Sequence, residues 1–350
     1  RKPKTIAGIA VIVLLVMASG LFSAKIGLSE NEQFTDKPEA VTAAETLSEG
    51  FAAGSTFPVI VLVDSDEAEA AAEELGSVDG VDNATISDEH DGLTRIDLIT
   101  TYEAGTDEAN TFIRDLRSDL AENPGYEALV GGEAAERVDQ LDANTHDVTL
   151  VVSLVILLVF LVLVALLRSL VAPVLLVASV LLTFFAASGI SWLLFVNVLG
   201  FPALDTLTLL YSFLFLVALG VDYNIFLVTR ARENAAIMGT KKGMLAALRS
   251  TGGVITSAGI LLAAVFVVLG VLPLVTLTQV GITVAIGVLF DTLIVRTVIV
   301  PALVFVLGDK FWWPSRPGAK NGKHGRHQAE PEEDPAGDRE DAGQASVTGR

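Results

Sequence analysis

Cysteine is absent from all 350 residues. That excludes both a disulfide framework and a thiolate metal site. Positive charge is scarce where the chain is polar. Residues 28–147 hold 30 Asp and Glu against 5 Lys and Arg, a net of −25, and the remainder, with 12 acids and 18 bases, brings the whole to −19. A field of that sign repels nucleic acid and anionic headgroups and favours solubility and cationic partners, so no nucleic-acid partner is expected. No glycine-rich phosphate-cradling loop occurs, which argues against ATP as an energy source. The polar region offers no catalytic spacing, and an enzyme is not expected. His90 beside Glu89 and Asp91, His146 beside Asp147, and His324 and His327 near the end all lack the partners of a metal site and read as solvated. An initiator methionine is absent too. The reading this favours is a piece of a longer protein, with processing as the alternative.

Apolar residues, by contrast, make up 51% of the chain, and the mean hydropathy is +0.57. This is the composition of a membrane protein. One apolar run covers Ile6 to Ile26, and a dense block runs from Val148 to Leu307. The first run has basic residues before it (Arg1, Lys2, Lys4) and small ones at Ser23-Ala24, as a signal peptide does. Its length of about 20 residues favours a spanning helix. Basic residues then order the spans by the positive-inside rule. Spans are expected at about 5–26, 148–167, 171–195, 206–230, 252–272 and 277–307, with Arg168, Arg230, Arg232, Lys241, Lys242, Arg249 and Lys310 on the cytoplasmic side. Residues 231–250 read as a cytoplasmic loop. Both termini are then inside a cell (plasma) membrane, and the acidic region is outside.

The outer region, 28–147, reads as alternating helix and strand. Helices are expected at 38–53, at 65–75 with Ser65 as N-cap, and at 106–121. Strands are expected at 57–63, 81–87, 93–101 and 127–130. In the third strand Thr94, Ile96, Leu98 and Thr100 share one face. The order β-α-β-β-α-β is that of a ferredoxin-like split βαβ unit. The expected fold is thus a six-helix polytopic membrane protein with an α+β ferredoxin-like extracytoplasmic domain. Its parts are a transmembrane helix (5–26), the outer domain (28–147), a five-helix bundle (148–307), and a charged, Gly/Pro-rich cytoplasmic tail (308–350) expected to be disordered.

Within the fourth span stands Asp222, in Ala218-Leu219-Gly220-Val221-Asp222-Tyr223-Asn224. A carboxylate at membrane depth costs about 2.5–3.5 kcal/mol on insertion scales and by default marks an ion or proton site. The other reading is a structural aspartate that never titrates. Asp291 and Arg296 in the sixth span form a second candidate pair. At about 1.5 Å per residue, Asp222 and Asp291 lie at similar depth. Asp291 and Arg296 are five residues apart, which does not make neighbours on an α-helix. Each is therefore expected to meet partners elsewhere, Asp222 or waters among them. The alternative has Arg296 snorkelling to the inner interface with Asp291 as its anchor. Gly252, Gly253, Ser257, Ala258 and Gly259 suit close packing of the fifth span against the fourth, and Thr256 and Ser257 could hold water. Gly220 would let a neighbouring backbone approach. Asp205 reads as a solvated residue of the outer turn.

Several motifs in order carry a resemblance. They are Leu166-Leu167-Arg168-Ser169-Leu170-Val171-Ala172-Pro173, the Ala218–Leu227 run, Arg230-Ala231-Arg232-Glu233, Thr251-Gly252-Gly253-Val254-Ile255-Thr256-Ser257, Leu289-Phe290-Asp291-Thr292-Leu293-Ile294-Val295-Arg296 and Trp312-Trp313-Pro314. Lys37-Pro38-Glu39-Ala40-Val41 and Gly131-Gly132-Glu133-Ala134-Ala135 add to them in the outer domain. Over residues 5–314 the chain resembles the C-terminal half of an MMPL-family transporter of the resistance–nodulation–division (RND) superfamily. The resemblance implies one RND-type repeat of a two-repeat, proton-driven exporter, with residues 28–147 as a porter domain. It also implies that Asp222 and Tyr223 are the family's central Asp-Tyr pair, with Asp291 and Arg296 joining them in a proton relay. The cofactor is then none, the proton gradient serving as energy source. The partners are the lipid bilayer, a hydrophobic or lipidic small-molecule substrate, and the N-terminal repeat or a second copy. Two other readings stay open: a sterol-sensor-like receptor or scaffold that does not transport, and a six-helix half-transporter acting as a homodimer.

Overall fold

A computed structural model describes residues 3–28, 57–102, 106–122 and 127–315, together with 33–35, 38, 39, 42, 43, 46 and 317. The helix expected at 38–53 falls largely outside the described residues, as do Lys37, Ala40 and Val41, the tail beyond 317, and His324 and His327 within it.

Six helices are long and apolar enough to cross a membrane. The first is α1 (Pro3–Ala18), prolonged by a 3-10 turn to Ser23. Next in the chain comes the outer domain: β1 (Val59–Asp64), α2 (Ala68–Gly76), β2 (Val81–His90), β3 (Leu93–Thr100), α3 (Asp107–Glu122) and β4 (Ala128–Gly131). The strands form one antiparallel sheet in the order β2-β3-β1-β4, with Val61 opposite both Ile96 and Val130. This is the order of the expected ferredoxin-like unit. Alternation in β3 buries Thr94, Ile96, Leu98 and Thr100. They face the apolar stripes of both helices, Ala71 and Leu75 of α2 with Phe112, Ile113 and Leu116 of α3. Ser65 caps no helix, because a 3-10 turn over Ser65–Glu67 precedes α2; its hydroxyl instead accepts from Thr94 Oγ1 at 2.9 Å.

The second spanning helix, α4 (Glu133–Leu167), is continuous from the sheet into the apolar bundle and runs across residue 148 without a break. Its first turns belong to the outer core, where Ala135 and Val138 are buried. Arg117 of α3 grips it, donating to Asp139 at 3.0 Å and to Val130 O at 3.1 Å, and Arg114 donates to Asp142 at 2.8 Å. The Asp139 hydrogen bond raises the Arg117 pKa above its ordinary value, so the guanidinium side of this clamp does not lose its charge near neutral pH.

The remaining helices are α5 (Val171–Leu194), α6 (Thr206–Met238), α7 (Thr240–Leu269) and α8 (Val275–Phe290), the last continuing through a π-helical segment (Asp291–Ile299) into α9 (Val300–Leu307). About half of α5, of α6 and of the final span is buried within the chain, against less than a fifth of α1, α4 and α7. The first three therefore form the inside of the bundle. Helix α1 crosses α5 backbone to backbone: a Cβ on Gly189 would strike Met17 O, and one on Gly20 would sit 2.5 Å from Gly189 O.

Residues 231–250 are not the expected loop. Helix α6 runs to Met238, Gly239 turns the chain at φ 83°, and α7 starts at Thr240. The hairpin closes because Gly243 lies against Ala235, whose nitrogen would be 2.5 Å from a Cβ there. Hydropathy falls at Arg230, but the helix continues past it. The fifth span does pack along the fourth as expected, but not through all of its small residues. A Cβ on Gly259 would strike Thr292 of the last span, and Gly253 faces open space.

Candidate functional site

The site is built on an irregularity of the last span. Pro301, in the first turn of α9, has no N–H to give the carbonyl of Thr297, and its ring crowds that carbonyl. Just before it the chain adopts π-helical geometry over Asp291–Ile299. A π-helix bonds residue i to i+5 and often marks a functional place in a helix. Residues five apart, about 140° apart round an α-helix, come onto one face. Arg296 Nη2 therefore hydrogen-bonds Asp291 Oδ2 on its own helix. The expectation that these two meet partners elsewhere is corrected here, and its cause was the α-helical spacing assumed. The snorkelling alternative fails as well, since Arg296 is 1% exposed and Asp291 5%.

Helix α6 encloses the pair. The Arg296 guanidinium carbon lies 4.8 Å from the centre of the Tyr223 ring, within cation–π range. Asn224, 1% exposed, stands beside the Asp291 carboxylate, yet neither of its amide atoms completes a hydrogen bond. Asp291 Oδ1 and Arg296 Nε and Nη1 also lack hydrogen-bond partners. Gly220 makes room for these side chains. What approaches it is Val180 and Asp291 Oδ1, which would be 3.4 and 3.8 Å from a Cβ, and no neighbouring backbone. A cavity of about 10 Å³, bordered by Asp291, Thr292, Tyr223, Gly220 and Thr183, adjoins the carboxylate. That is room for about one water.

Asp222 is not part of this cluster. It points the other way and is exposed, in a stripe with Tyr211, Phe215, Ala218 and Phe226 along α6. The spacing of 4, 3, 4 and 4 residues is one face of a helix. So α6 carries Tyr223 and Asn224 towards the Asp291–Arg296 pair and Asp222 towards an open face. The four expected residues are brought together only in part: Tyr223, Asp291 and Arg296 touch, and Asp222 stands across the helix from them.

Sequence reasoning missed Asn224, although an amide two residues from Asp222 in an apolar span was a usable signal. Thr183 and Thr292 carried no such signal, because single threonines are common in membrane helices. Asp205 is not simply solvated. It caps α6, its carboxylate accepting from Leu207 N at 2.9 Å. Among the described residues no group of three or more His, Asp or Glu could hold a metal ion. His90 lies 3.5 Å from Asp91 with both side chains about nine-tenths exposed.

Comparison with known proteins adds to this geometry. Residues 33–326 match the MMPL family. A membrane protein of Streptomyces coelicolor, SCO0839, is 42% identical over 331 residues, 91% of this chain and 47% of that protein. The apo-petrobactin exporter of Bacillus anthracis is 35% identical over 336 residues, covering 92% and 45%. The sulfolipid-1 exporter MmpL8 of Mycobacterium tuberculosis is 34% identical over 221 residues, covering 63% and 19%. The chain thus spans less than half the length of these relatives.

Proposed function

The chain belongs to the MMPL family of multi-pass membrane proteins, and from that premise we propose that it serves as one repeat of a proton-motive-force-driven exporter of lipidic or amphipathic molecules. The observation that carries the reading is the membrane-buried Asp291–Arg296 pair, held under Tyr223 and beside a water-sized cavity. Burial disfavours a free charge, and a close opposite charge favours it. The two terms oppose each other at Asp291, and a carboxyl balanced in this way can bind or release a proton in response to small rearrangements. Taking a proton on Asp291 frees the guanidinium, which Tyr223 still holds by its ring face. That changes the contact between α6 and the last span without leaving either group in lipid. The driving term in this reading is the membrane potential, one charge crossing 100 mV yielding about 2.3 kcal/mol.

Asp222 belongs to the same reading from the other side of α6. An exposed carboxylate in a spanning helix costs about 2.5–3.5 kcal/mol against lipid, so its stripe needs protein cover. Either the other repeat or a second copy of this chain supplies that cover, and the half-transporter homodimer remains the second reading for this reason. The relatives named as exporters of apo-petrobactin and of sulfolipid-1 support export as the activity, and the second supports a lipidic cargo. The α+β domain then lies outside the cytoplasm, and both termini lie inside.

The test is export by the full-length protein carrying Asp222→Asn or Arg296→Met. Asp222→Asn is expected to insert at the wild-type level and Arg296→Met, which leaves the Asp291 carboxylate without its partner, below it; at matched abundance neither is expected to export. Wild-type export by either, at equal abundance, refutes the relay.

A further inference from the structure

Gln279 is a polar side chain in the last span that the proton site does not use. It lies on α8, 12 residues before Asp291, about 18 Å up the helix toward the outer side at 1.5 Å per residue. It is fully buried. Its hydrogen bonds go to one short segment, the turn before α6 and the first turn of α6 itself. Oε1 accepts from Asp205 N at 2.9 Å and from Thr208 Oγ1 at 2.9 Å, and Nε2 donates to Ala203 O at 2.8 Å.

The residue inside that turn, Leu204, is itself tied to the chain leaving α1. Leu204 N donates to Lys25 O and Gly27 N donates to Leu204 O, each at 2.8 Å. One residue further, Leu28 O accepts from Arg137 Nη2 at 2.8 Å. Arg137 stands in the first turns of α4, between Ala135 and Val138 of the outer core. Buried apolar contacts follow the same route, with Leu28, Ala203 and Val275 packed together and Phe201 against them. Gln33 O, in the same linker, accepts from Val275 N at 2.9 Å at the head of α8.

We propose that Gln279 is a positioning residue that couples the last span to the outer domain, through the 203–205 turn, the 25–28 linker and Arg137. The proposal rests on the proton-driven reading above. Coupling between distant sites needs a contiguous, rigid set of contacts with a discrete displacement to transmit. Here the span that bears Asp291 and Arg296 is fastened at its other end, through the 203–205 turn, to the 25–28 linker that leaves α1. A buried amide suits this role. It binds the turn through a donor and an acceptor at once, so the turn has to follow an axial shift or rotation of α8.

This chain has no cysteine and adds no background to two labels; any cysteine elsewhere in the full-length protein is first replaced by serine. In the full-length protein, spin labels at Ser118→Cys on α3 and Val198→Cys at the outer end of α5, both exposed, report the distance between domain and bundle. Measurements are made in liposomes at neutral and acidic pH, and proton uptake is read on the same samples. The wild type is expected to take up protons and shift its distance. Gln279→Leu is expected to keep the uptake and lose the shift. Gln279→Glu keeps both accepted bonds but sets an oxygen against Ala203 O in place of the donated bond, and is expected to recover the shift only in part. A merely structural glutamine would leave the shift in place in any folded variant. A Gln279→Leu protein that shifts as the wild type does overturns the coupling, and so does a wild type that takes up protons without shifting. A wild type that takes up no protons refutes the proton-driven reading itself. Should Gln279→Leu fail to insert, Thr208→Val removes one of the three bonds and is expected to diminish the shift; an undiminished shift there overturns the proposal.

Discussion

A double-mutant cycle on Asp291 and Arg296 separates what this pair does for stability from what it does for function. Both groups are buried, and they hydrogen-bond each other. Asp291→Leu leaves a guanidinium enclosed with Nε and Nη1 already without partners. Removing one member of a buried ion pair costs about 3–5 kcal/mol, because the other charge is left uncompensated. At 1.4 kcal/mol per tenfold, that is about two to three and a half powers of ten in the folding equilibrium. Asp291→Leu with Arg296→Met removes both charges at similar volume, and such replacements are neutral or stabilising by about 1–4 kcal/mol. The expected pattern is a strongly destabilised single variant, a double variant at or above wild-type stability, and no export by either. The assay is equilibrium unfolding of the full-length protein in detergent, with export measured in cells at matched abundance. A single variant as stable as the double would show that Arg296 has another anion, and the pair described here would be refuted. Export by the double variant would refute its role in transport.

Other outcomes follow from single contacts. Asp222→Asn removes, at nearly constant volume, a charge that is exposed in this chain and covered in the proposed whole; melting of the full-length protein is expected to hold or rise, because the buried charge is costly, while export is lost. Gly243→Val drives a side chain into the Ala235 backbone and is expected to cost about 1–3 kcal/mol, whereas Gly253→Ala enters open space and should gain up to about 1 kcal/mol of helix propensity; thermal melts of the two compare directly. Thr240→Val removes the 2.6 Å hydrogen bond from Thr240 Oγ1 to Asp309, an expected loss of about 1.5–3 kcal/mol for a charged acceptor, read by denaturant unfolding.

The spans and the outer sheet were legible because each obeys a simple period or length. Residues 94, 96, 98 and 100 alternate as a strand with one buried face must, and the β-α-β-β-α-β order leaves few sheets to choose among. The apolar runs were legible, but the helix boundaries were not. Helix α6 continues eight residues past Arg230 to Met238, since Arg-Ala-Arg-Glu-Asn-Ala-Ala favours helix in water as well as in lipid. Asp291 and Arg296 stood out as residues in the sequence, and their mutual geometry was misread. A spacing of five has no place in a period of 3.6, and no side-chain pattern announces a π-helical segment; Pro301 was the one local hint. Gln279 escaped notice for a different reason. Its partners are backbone atoms and a hydroxyl of a turn more than 70 residues earlier in the chain, a closure that only the packed bundle reveals.

The most direct test of the account is proton flux in liposomes reconstituted with the full-length protein and loaded with an exported amphiphile. Wild-type protein should move protons down an imposed pH gradient faster when the substrate is present, and the Asp291→Leu/Arg296→Met variant, though folded, should show no substrate-dependent flux. Substrate-dependent proton flux in that double variant, or its absence in a wild type that still exports, would contradict the central claim.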